Sequence, residues 1–204
     1  HEKYNAKKIK LFLETYITNS IKTAIALKQA LLQEETLLKQ IDQITVMMIK
    51  CFQQNARVWF CGNGGSAADA QHLAAELSGR FYYDRPPLFA EAMHVNSAYL
   101  TAVANDYGYE QVFARLVDAK AQPNDILVAM STSGNSPNII AALKRAQQKK
   151  ITTIGLTGKN GGHMNGLCEV LLKVPSNDTP RIQEVHMLIG HIVCAQVEKI
   201  LFPQ

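Results

Sequence analysis

The first 61 residues of this 204-residue chain contain no glycine and no proline, although the rest of the chain holds 12 glycines and 7 prolines. Because these residues mark most turns and breaks, a long stretch without them is typical of helices and argues against a set of strands. Cysteine is scarce too, with four residues that form no C-x-x-C pair and no framework of short spacings. A disulfide-rich fold is therefore excluded, and we expect buried free thiols at Cys61 and Cys194, as in a reducing cytosol.

Long apolar runs and a strong net charge are also missing. The chain has no run of about 18 apolar residues, so we expect no membrane span. Its start, HEKYNAKKIK, passes into an amphipathic pattern and shows no apolar core of a signal peptide. The net charge of +4 is modest for this length and does not by itself indicate nucleic-acid binding. We therefore expect a cytoplasmic protein that binds neither nucleic acid nor a membrane.

The distribution of charge divides the chain into two parts. Residues 1–57 carry nine basic and five acidic residues, which accounts for the whole excess, whereas residues 58–204 carry twelve of each. Apolar residues recur at helical spacing over residues 6–54, with a break near residues 33–35, which predicts a helical hairpin. Helices of this length need a surface to pack against, and we expect a second subunit. The predicted division is an assembly hairpin over residues 1–56 and a larger domain over residues 57–204.

From residue 57 onward, short apolar runs alternate with helical segments. The runs are Val58–Cys61, Leu88–His94, Ile126–Met130, Ile151–Leu156 and Val170–Val174. The helical segments are Ala67–Ser78, Ser97–Asn105, Tyr109–Ala119, Asn138–Lys149 and the closing Arg181–Leu201. This alternation predicts an α/β fold with a doubly wound parallel sheet of five strands flanked by helices. Such sheets bind ligands beyond the carboxyl ends of their strands, so the loops after the first and third runs are the expected binding region.

The loop after the first run is glycine-rich, with the sequence GNGGS over residues 62–66. Glycines let a backbone approach a ligand closely, and the free N–H groups at the start of a helix favour an anion. The spacing matches neither the dinucleotide fingerprint nor the P-loop, so a nucleotide site is disfavoured. A tight strand–helix turn without a ligand is the structural alternative.

The loop after the third run is rich in hydroxyls, with the sequence STSGNS over residues 131–136. Hydroxyls and helix-start amides can surround a phosphate monoester with donors while adding no positive charge. Serine and asparagine also serve as helix N-caps. One capping residue is routine, but four hydroxyls within six residues favour phosphate binding.

Two predicted helices carry polar side chains suited to acid–base chemistry or to a metal. His72 and Glu76 are four residues apart and share one helix face. Gln183 and His191 are eight apart in the mostly apolar closing helix, which leaves them about 80° apart around its axis. Polar groups on a buried helix are costly unless they have partners. A satisfied core histidine is the structural alternative for His191.

Several motifs together resemble the sugar isomerase (SIS) domain, and within it the phosphoheptose isomerases of bacterial heptose synthesis. They are GNGGS, DAQHLAAELSGR, ANDYGY, STSGNS, ITTIGLTGKNGG and RIQEVHMLIGH. The resemblance covers nearly the whole chain and implies a flavodoxin-like five-stranded parallel sheet with an N-terminal helical hairpin. It implies isomerisation of sedoheptulose 7-phosphate to D-glycero-D-manno-heptose 7-phosphate, for lipopolysaccharide core synthesis, in a homotetramer with sites between subunits.

The same resemblance implies a role for each matching residue. Glu76 would be the general base that moves a proton between C1 and C2, and His191 its acid–base partner. The implied substrate contacts are Asn63, Gly64, Gly65, Ser66, Glu76, Asn105, Asp106, Ser131, Thr132, Ser133, Ser136 and Gln183. One zinc ion per subunit would be held by His72, Glu76, Gln183 and His191, although an amide oxygen is a poor zinc ligand. Asp69 is interpreted as a helix-start residue and His163 as a loop residue, and the role of His186 stays open.

Two alternatives and one departure from the family pattern remain. A similar non-catalytic branch binds the bacterial replication initiator DnaA. It shares the RIQE-H-ML pattern and an LFP ending, but we expect it to lack the pair that Glu76 and His191 form here. A sugar-phosphate-sensing regulator usually carries a helix-turn-helix, for which residues 1–57 offer no Gly turn. Some heptose isomerases have an aspartate just before the RIQE run, where this chain has Pro180, so that contact is not carried over.

Overall fold

A computed structural model of the chain describes residues 6–204, and residues 1–5 of the predicted hairpin lie outside the described part. The α-helices are α1 (Ala6–Leu31), α2 (Glu35–Gln53), α3 (Gly65–Ser78), α4 (Ser97–Tyr107), α5 (Val112–Lys120), α6 (Pro137–Gln148) and α7 (Thr179–Leu201). The strands are β1 (Val58–Gly62), β2 (Ala90–Ala92), β3 (Ile126–Ser131), β4 (Thr152–Thr157) and β5 (Val170–Lys173). Single 3₁₀ turns cover Tyr109–Gln111 and Gly162–Met164.

The five strands form one parallel sheet in the order β2-β1-β3-β4-β5, which confirms the predicted fold. The order reverses at β1, whose neighbours are β2 and β3. Gly62 at the end of β1 lies opposite Met130, one residue before the end of β3. The loops after these two strands therefore begin side by side at the carboxyl edge of the sheet, where such folds bind their ligands.

Apolar side chains cover both faces of the sheet, because β1 and β3 are buried along their whole length. One face packs against α2, α3 and α7, and the other against α4, α5 and α6. Ile41, Ile44 and Met48 of α2 belong to the core beneath the sheet. The predicted division after residue 56 stays a prediction, although α2 shares the core of the larger domain.

Most element boundaries differ from the predicted ones by one or two residues, and β2 and α5 differ by more. β2 has only three residues, where seven were predicted, because it is an edge strand that pairs with β1 alone. α3 begins at Gly65, two residues earlier than predicted. Residues 109–111 form a 3₁₀ turn, so α5 begins at Val112 and not at Tyr109.

The four cysteines are free thiols, as predicted, and Cys51, Cys61 and Cys194 are buried. Burial raises the pKa of Cys194 to about 12, so this thiol stays protonated and unreactive at neutral pH. Within residues 6–204, no helix combines the length and the apolar character that a bilayer crossing requires.

Helix α1 leaves many apolar side chains uncovered. Its large exposed side chains include Leu11, Phe12, Leu13, Tyr16, Ile17, Ile21 and Ile25. Exposed apolar side chains in this number indicate an interaction surface.

Candidate active site

The loop after β1 turns directly into α3, and its glycines permit close approaches of the chain. Gly64 has a φ of +53°, a conformation that side chains other than glycine rarely adopt. A Cβ on Gly65 would lie 2.5 Å from Nε2 of Gln183, so the Gln183 amide packs directly on the start of α3. Ser66 is buried just beyond. These residues stand at the carboxyl edge of the sheet, together with the amides of the first turn of α3.

The hydroxyl loop after β3 is compact and leads into α6. The hydroxyls of Ser131 and Ser136 lie 3.0 Å apart, and the amide of Asn135 donates to Oγ of Ser133 at 3.1 Å. Gly134 has a φ of +69°, and a Cβ there would collide with the carbonyl oxygen of Gly161. The loop therefore folds tightly over the start of α6, so its hydroxyls lie beside the first backbone amides of that helix. Thr132 lies half-buried between these serines.

Three predicted acid–base and metal residues meet between α3 and α7. Nε2 of His72 lies 3.1 Å from Oε1 of Glu76, one helical turn away. Nε2 of His191 lies 3.1 Å from Nε2 of His72, across the contact between the two helices. Gly190 makes this approach possible, because a Cβ there would collide with the side chain of Leu73 on α3.

This cluster fits a divalent metal. One ligand atom from each of His72, Glu76 and His191 lies within 4.8 Å of the others. Tetrahedral zinc, with bonds of about 2.0–2.1 Å, places its ligand atoms roughly 3.3 Å apart. Two imidazoles and a carboxylate form the donor set of many zinc sites that keep one open position. The side chain of Glu76 is 26% exposed and that of His72 50% exposed, so the cluster is open to a ligand from outside the chain.

The loop that follows α3 packs against the His191 side of the cluster. The ring of Phe81 lies 5.6 Å from the ring of His191. Arg85 donates to the carbonyl oxygen of Glu76 at 2.8 Å and pairs with Glu198 of α7 at 3.0 Å. This buried pair ties the end of α3 to α7, and sequence reasoning passed over it because its residues are 113 positions apart.

The structure does not bring every predicted substrate residue into one place. Asn105 and Asp106 are exposed on the last turn of α4, where the Asn105 amide donates to the Asp106 carboxylate at 2.9 Å. Glu76 stands eleven residues beyond Gly65 in α3, which is roughly 16 Å along the helix axis. The amide of Leu88 donates to the carbonyl of Leu77 just before β2, so the Glu76 end of α3 lies toward the amino edge of the sheet. The hydroxyl loop lies at the opposite edge.

Three further polar residues now have definite surroundings. Asp69 was interpreted as a helix-start residue, which is wrong: it lies one turn inside α3, and burial raises its pKa while His72 opposes the rise. His163 is exposed in the 3₁₀ turn after β4. His186 is fully buried, with Nε2 donating to the carbonyl of Thr157 at 3.3 Å. Burial lowers the pKa of His186 to about 4, so it is a neutral core histidine at physiological pH.

Two residues that sequence reasoning missed join the loops at the carboxyl edge. Asn138 of α6 makes a pair of hydrogen bonds with Asn63, and Tyr109 donates to the same Asn63 side chain. A usable signal was the asparagine in the first turn of α6, since a buried amide at that position needs partners.

Comparison with known proteins identifies the chain's relatives. A model of the SIS domain family matches residues 21–158. The chain is 47% identical to a phosphoheptose isomerase of Aneurinibacillus thermoaerophilus over 190 residues, covering 93% of this chain and 96% of that protein. It is 50% identical to a phosphoheptose isomerase of Burkholderia pseudomallei (strain 1710b), covering 92% of this chain and 95% of that protein.

Solved structures agree with these sequence relatives. The phosphoheptose isomerase GmhA from Neisseria gonorrhoeae superposes with a TM-score of 0.85 at 38% identity, covering 92% of this chain and 99% of that one. A phosphoheptose isomerase from Francisella tularensis gives a TM-score of 0.79 at 36% identity, covering 95% of this chain and 97% of that one. None of these four relatives supports the DnaA-binding alternative. From its family match, its relatives and its fold, this chain belongs to the SIS domain family and, within it, to the phosphoheptose isomerases, which are sugar-phosphate isomerases.

Proposed function

We propose that the protein interconverts sedoheptulose 7-phosphate and D-glycero-D-manno-heptose 7-phosphate in the cytoplasm, for bacterial heptose and lipopolysaccharide core synthesis. The observation that carries this proposal is the cluster of Glu76, His72 and His191. His72 lies 3.1 Å from both of the others, and the three ligand atoms lie within 4.8 Å of one another. The names of the relatives support the same substrate class. Free thiols are compatible with a reducing compartment.

The isomerisation needs one base and one acid–base partner. In the open-chain ketose, the Glu76 carboxylate takes the proton from C1, and the electron pair of that bond forms the C1–C2 double bond of an enediol. His191 passes a proton between the oxygens on C1 and C2. Glu76 then returns its proton to C2, which yields the aldose. The reaction is an internal oxidation and reduction of neighbouring carbons, so no external electron carrier takes part.

The hydroxyl loop would hold the phosphate. Ser131, Thr132, Ser133 and Ser136 offer hydroxyl donors beside the first amides of α6. In our proposal Asn63, Gly64, Gly65, Ser66 and Gln183 contact the sugar from the neighbouring loop, with Asn105 and Asp106 at the rim. In this proposal neutral donors bind the phosphate, because residues 131–136 contain no lysine or arginine.

Zinc is the proposed cofactor. His72, Glu76 and His191 would hold it. Gln183, which the resemblance implies as a fourth ligand, packs against Gly65 about 10 Å before His72 along α3 and does not join these three within one chain. A carboxylate has two oxygens, so Glu76 can hold the ion with one and face the substrate with the other. When bound, zinc would act as a Lewis acid that polarises an oxygen of the reacting carbons.

We also propose a homotetramer in which each active site draws on two copies of the chain. The exposed apolar side chains of α1 support assembly. Within one chain, Glu76 stands roughly 16 Å along α3 from the edge with the hydroxyl loop. A fully extended heptose phosphate spans only about 10 Å from C1 to phosphorus. The Glu76 that meets a given hydroxyl loop would therefore belong to a second copy.

The decisive experiment is turnover of sedoheptulose 7-phosphate by the purified protein, with the heptose phosphate followed by NMR. Glu76→Gln should abolish turnover without unfolding the protein, because the amide cannot accept the C1 proton. Glu169→Gln, an exposed glutamate at the start of β5, is the matched control and should keep wild-type rates. Wild-type turnover by Glu76→Gln would refute the assignment of the base.

The phosphate contact has a separate test. Replacing Ser133 and Ser136 by alanine should raise KM more than it lowers kcat, as expected for a binding contact. Ser97→Ala, an exposed serine at the start of α4, should leave both constants unchanged. An unchanged KM in the double variant would rule out the phosphate role of the loop.

A further inference from the structure

The side-chain amides of Asn63 and Asn138 form a reciprocal pair between the two loops at the carboxyl edge. Nδ2 of Asn63 donates to Oδ1 of Asn138 at 2.8 Å, and Nδ2 of Asn138 donates to Oδ1 of Asn63 at 2.8 Å. Asn138 is only 2% exposed, whereas Asn63 is half-buried. The pair thus joins the glycine-rich loop after β1 to the first turn of α6.

The orientation of both amides follows from one backbone donor. The amide of Ile139 donates to Oδ1 of Asn138 at 3.0 Å. A backbone N–H requires an acceptor, so this atom of Asn138 must be its oxygen. The atom of Asn63 that faces it must then be the nitrogen, and the remaining atom of Asn63 must be the oxygen. Rotating either side-chain amide by 180° would place two donors or two acceptors opposite each other.

A tyrosine completes the set of bonds to Asn63. The hydroxyl of Tyr109, in the 3₁₀ turn before α5, lies 3.1 Å from Oδ1 of Asn63 and donates to it. Oδ1 therefore accepts two hydrogen bonds, from Asn138 and Tyr109, which uses both of its lone pairs. One hydrogen of Asn63 Nδ2 is donated to Oδ1 of Asn138, and the second hydrogen is not used by these contacts. Asn63 can thus offer a ligand a hydrogen-bond donor and no acceptor.

We infer that Asn138 and Tyr109 are positioning residues that lock the Asn63 amide, so that its remaining N–H donates to an acceptor oxygen of the bound phosphosugar. This inference rests on the proposed function and deepens it. A donor held in place by two partners, one of them the buried Asn138, needs no reorganisation when the ligand arrives, which strengthens its contribution to binding. Asn63 lies at the sheet edge that carries the hydroxyl loop, away from Glu76. Loss of its side-chain donor should therefore weaken substrate binding more than it slows proton transfer.

The first test compares two tyrosine variants. Tyr109→Phe removes one of the two donors to Asn63 and should lower kcat/KM for sedoheptulose 7-phosphate about fivefold, mainly through KM. Tyr107→Phe is the matched control, because Tyr107 is an exposed tyrosine nearby that stacks on Arg115 and does not touch Asn63. It should keep the wild-type constants. Equal values of kcat/KM for Tyr109→Phe and Tyr107→Phe would overturn the role of Tyr109.

The second test asks whether the effects pass through Asn63. Asn138→Asp replaces the donor to Asn63 by an acceptor and should lower kcat/KM by about 10- to 100-fold, again through KM. In an Asn63→Ala background, Tyr109→Phe and Asn138→Asp should have no further effect, because the group they position is gone. Effects that simply multiply in the double variants would overturn the inference. If Asn138→Asp does not fold, the cycle of Tyr109→Phe with Asn63→Ala decides alone.

A third readout separates this inference from the proposed function. The side-chain NH2 group of Asn63 should have a high NMR order parameter in the wild type and a lower one in Tyr109→Phe, whatever substrate the protein uses. Failure to turn over sedoheptulose 7-phosphate together with a high order parameter would refute only the substrate. A low order parameter in the wild type would refute the locked amide itself.

Discussion

A buried ion pair between Arg85 and Glu198 holds the end of α3 against α7, and its removal is the most informative stability test. The two side chains are 2% and 1% exposed and lie 3.0 Å apart. Arg85 also donates to the carbonyl oxygens of Glu76, Leu77 and Gly79 at 2.7–3.0 Å. Glu198 accepts from three backbone amides of the loop after α3. The pair thus organises the loop that backs the Glu76 cluster.

The expected cost of Arg85→Ala is large. Removing one partner of a buried pair leaves the other charge uncompensated, which costs about 3–5 kcal/mol. The carbonyl oxygens that lose the guanidinium add to this cost, at about 1 kcal/mol for each lost hydrogen bond. Arg85→Lys keeps the charge but supplies fewer donors, so it should fall between alanine and the wild type.

The measurement is urea unfolding followed by circular dichroism, at one protein concentration because assembly also affects stability. Arg80→Ala is the matched control, since Arg80 is an exposed arginine in the same loop. It should change the free energy of unfolding by no more than about 0.5 kcal/mol. A loss below about 1 kcal/mol in Arg85→Ala would refute the reasoning, because the buried charge would then be stabilised by something else.

The same pair predicts a pH dependence. Burial alone raises the pKa of Glu198, but the amides of Phe81 and Tyr82 and the Arg85 side chain outweigh it and hold the pKa below its ordinary 4.5. The folded pKa lies below the unfolded one, so the contribution is present above the unfolded value and disappears as the pH falls through the folded pKa. The stability gap between the wild type and Glu198→Gln should therefore be constant above 4.5 and close below it.

Three further outcomes test the site. Gly190→Ala should cost about 1–3 kcal/mol of unfolding free energy, because the new methyl group collides with Leu73 and forces α3 from α7; an unchanged unfolding midpoint would contradict that packing. His72→Ala should lose the zinc that metal analysis finds in wild-type protein prepared without chelator, and equal zinc in both would place the ion elsewhere. Unfolding and refolding Glu76→Gln together with the weakly binding double variant Ser133→Ala/Ser136→Ala should restore about a quarter of the wild-type kcat/KM if each site combines two copies. A mixture whose kcat/KM is only the average of its two components would mean that each site lies within one chain.

The fold could be predicted from the sequence because its signals are local. Apolar runs such as Val58–Cys61 and Ile126–Met130 fall on β1 and β3, and the helical periodicity falls on α1 and α2. Where the prediction was wrong, contacts with other elements of the fold determined the outcome. β2 is shorter than its apolar run because an edge strand extends only as far as its single neighbour pairs with it.

The contacts of the candidate site could be predicted only in part. His72 and Glu76 are one helical turn apart, so their spacing alone places them on one face. His72 and His191 are 119 positions apart, and their contact depends on how closely Gly190 lets α7 approach α3. Asn63 and Asn138 are 75 positions apart, and although the GNGGS motif singles out Asn63, no pattern in the sequence links it to Asn138.

The sequence by itself determined the α/β class, the five strands, the glycine-rich and hydroxyl-rich loops and the resemblance to the SIS isomerases, because each depends on neighbours along the chain. Only the tertiary structure decided which distant side chains touch. It paired Asn63 with Asn138 and Arg85 with Glu198. It also placed Glu76 toward the amino edge of the sheet, away from the hydroxyl loop at the carboxyl edge. The physical reason is that such contacts depend on the packing of whole helices against the sheet, which no local pattern records.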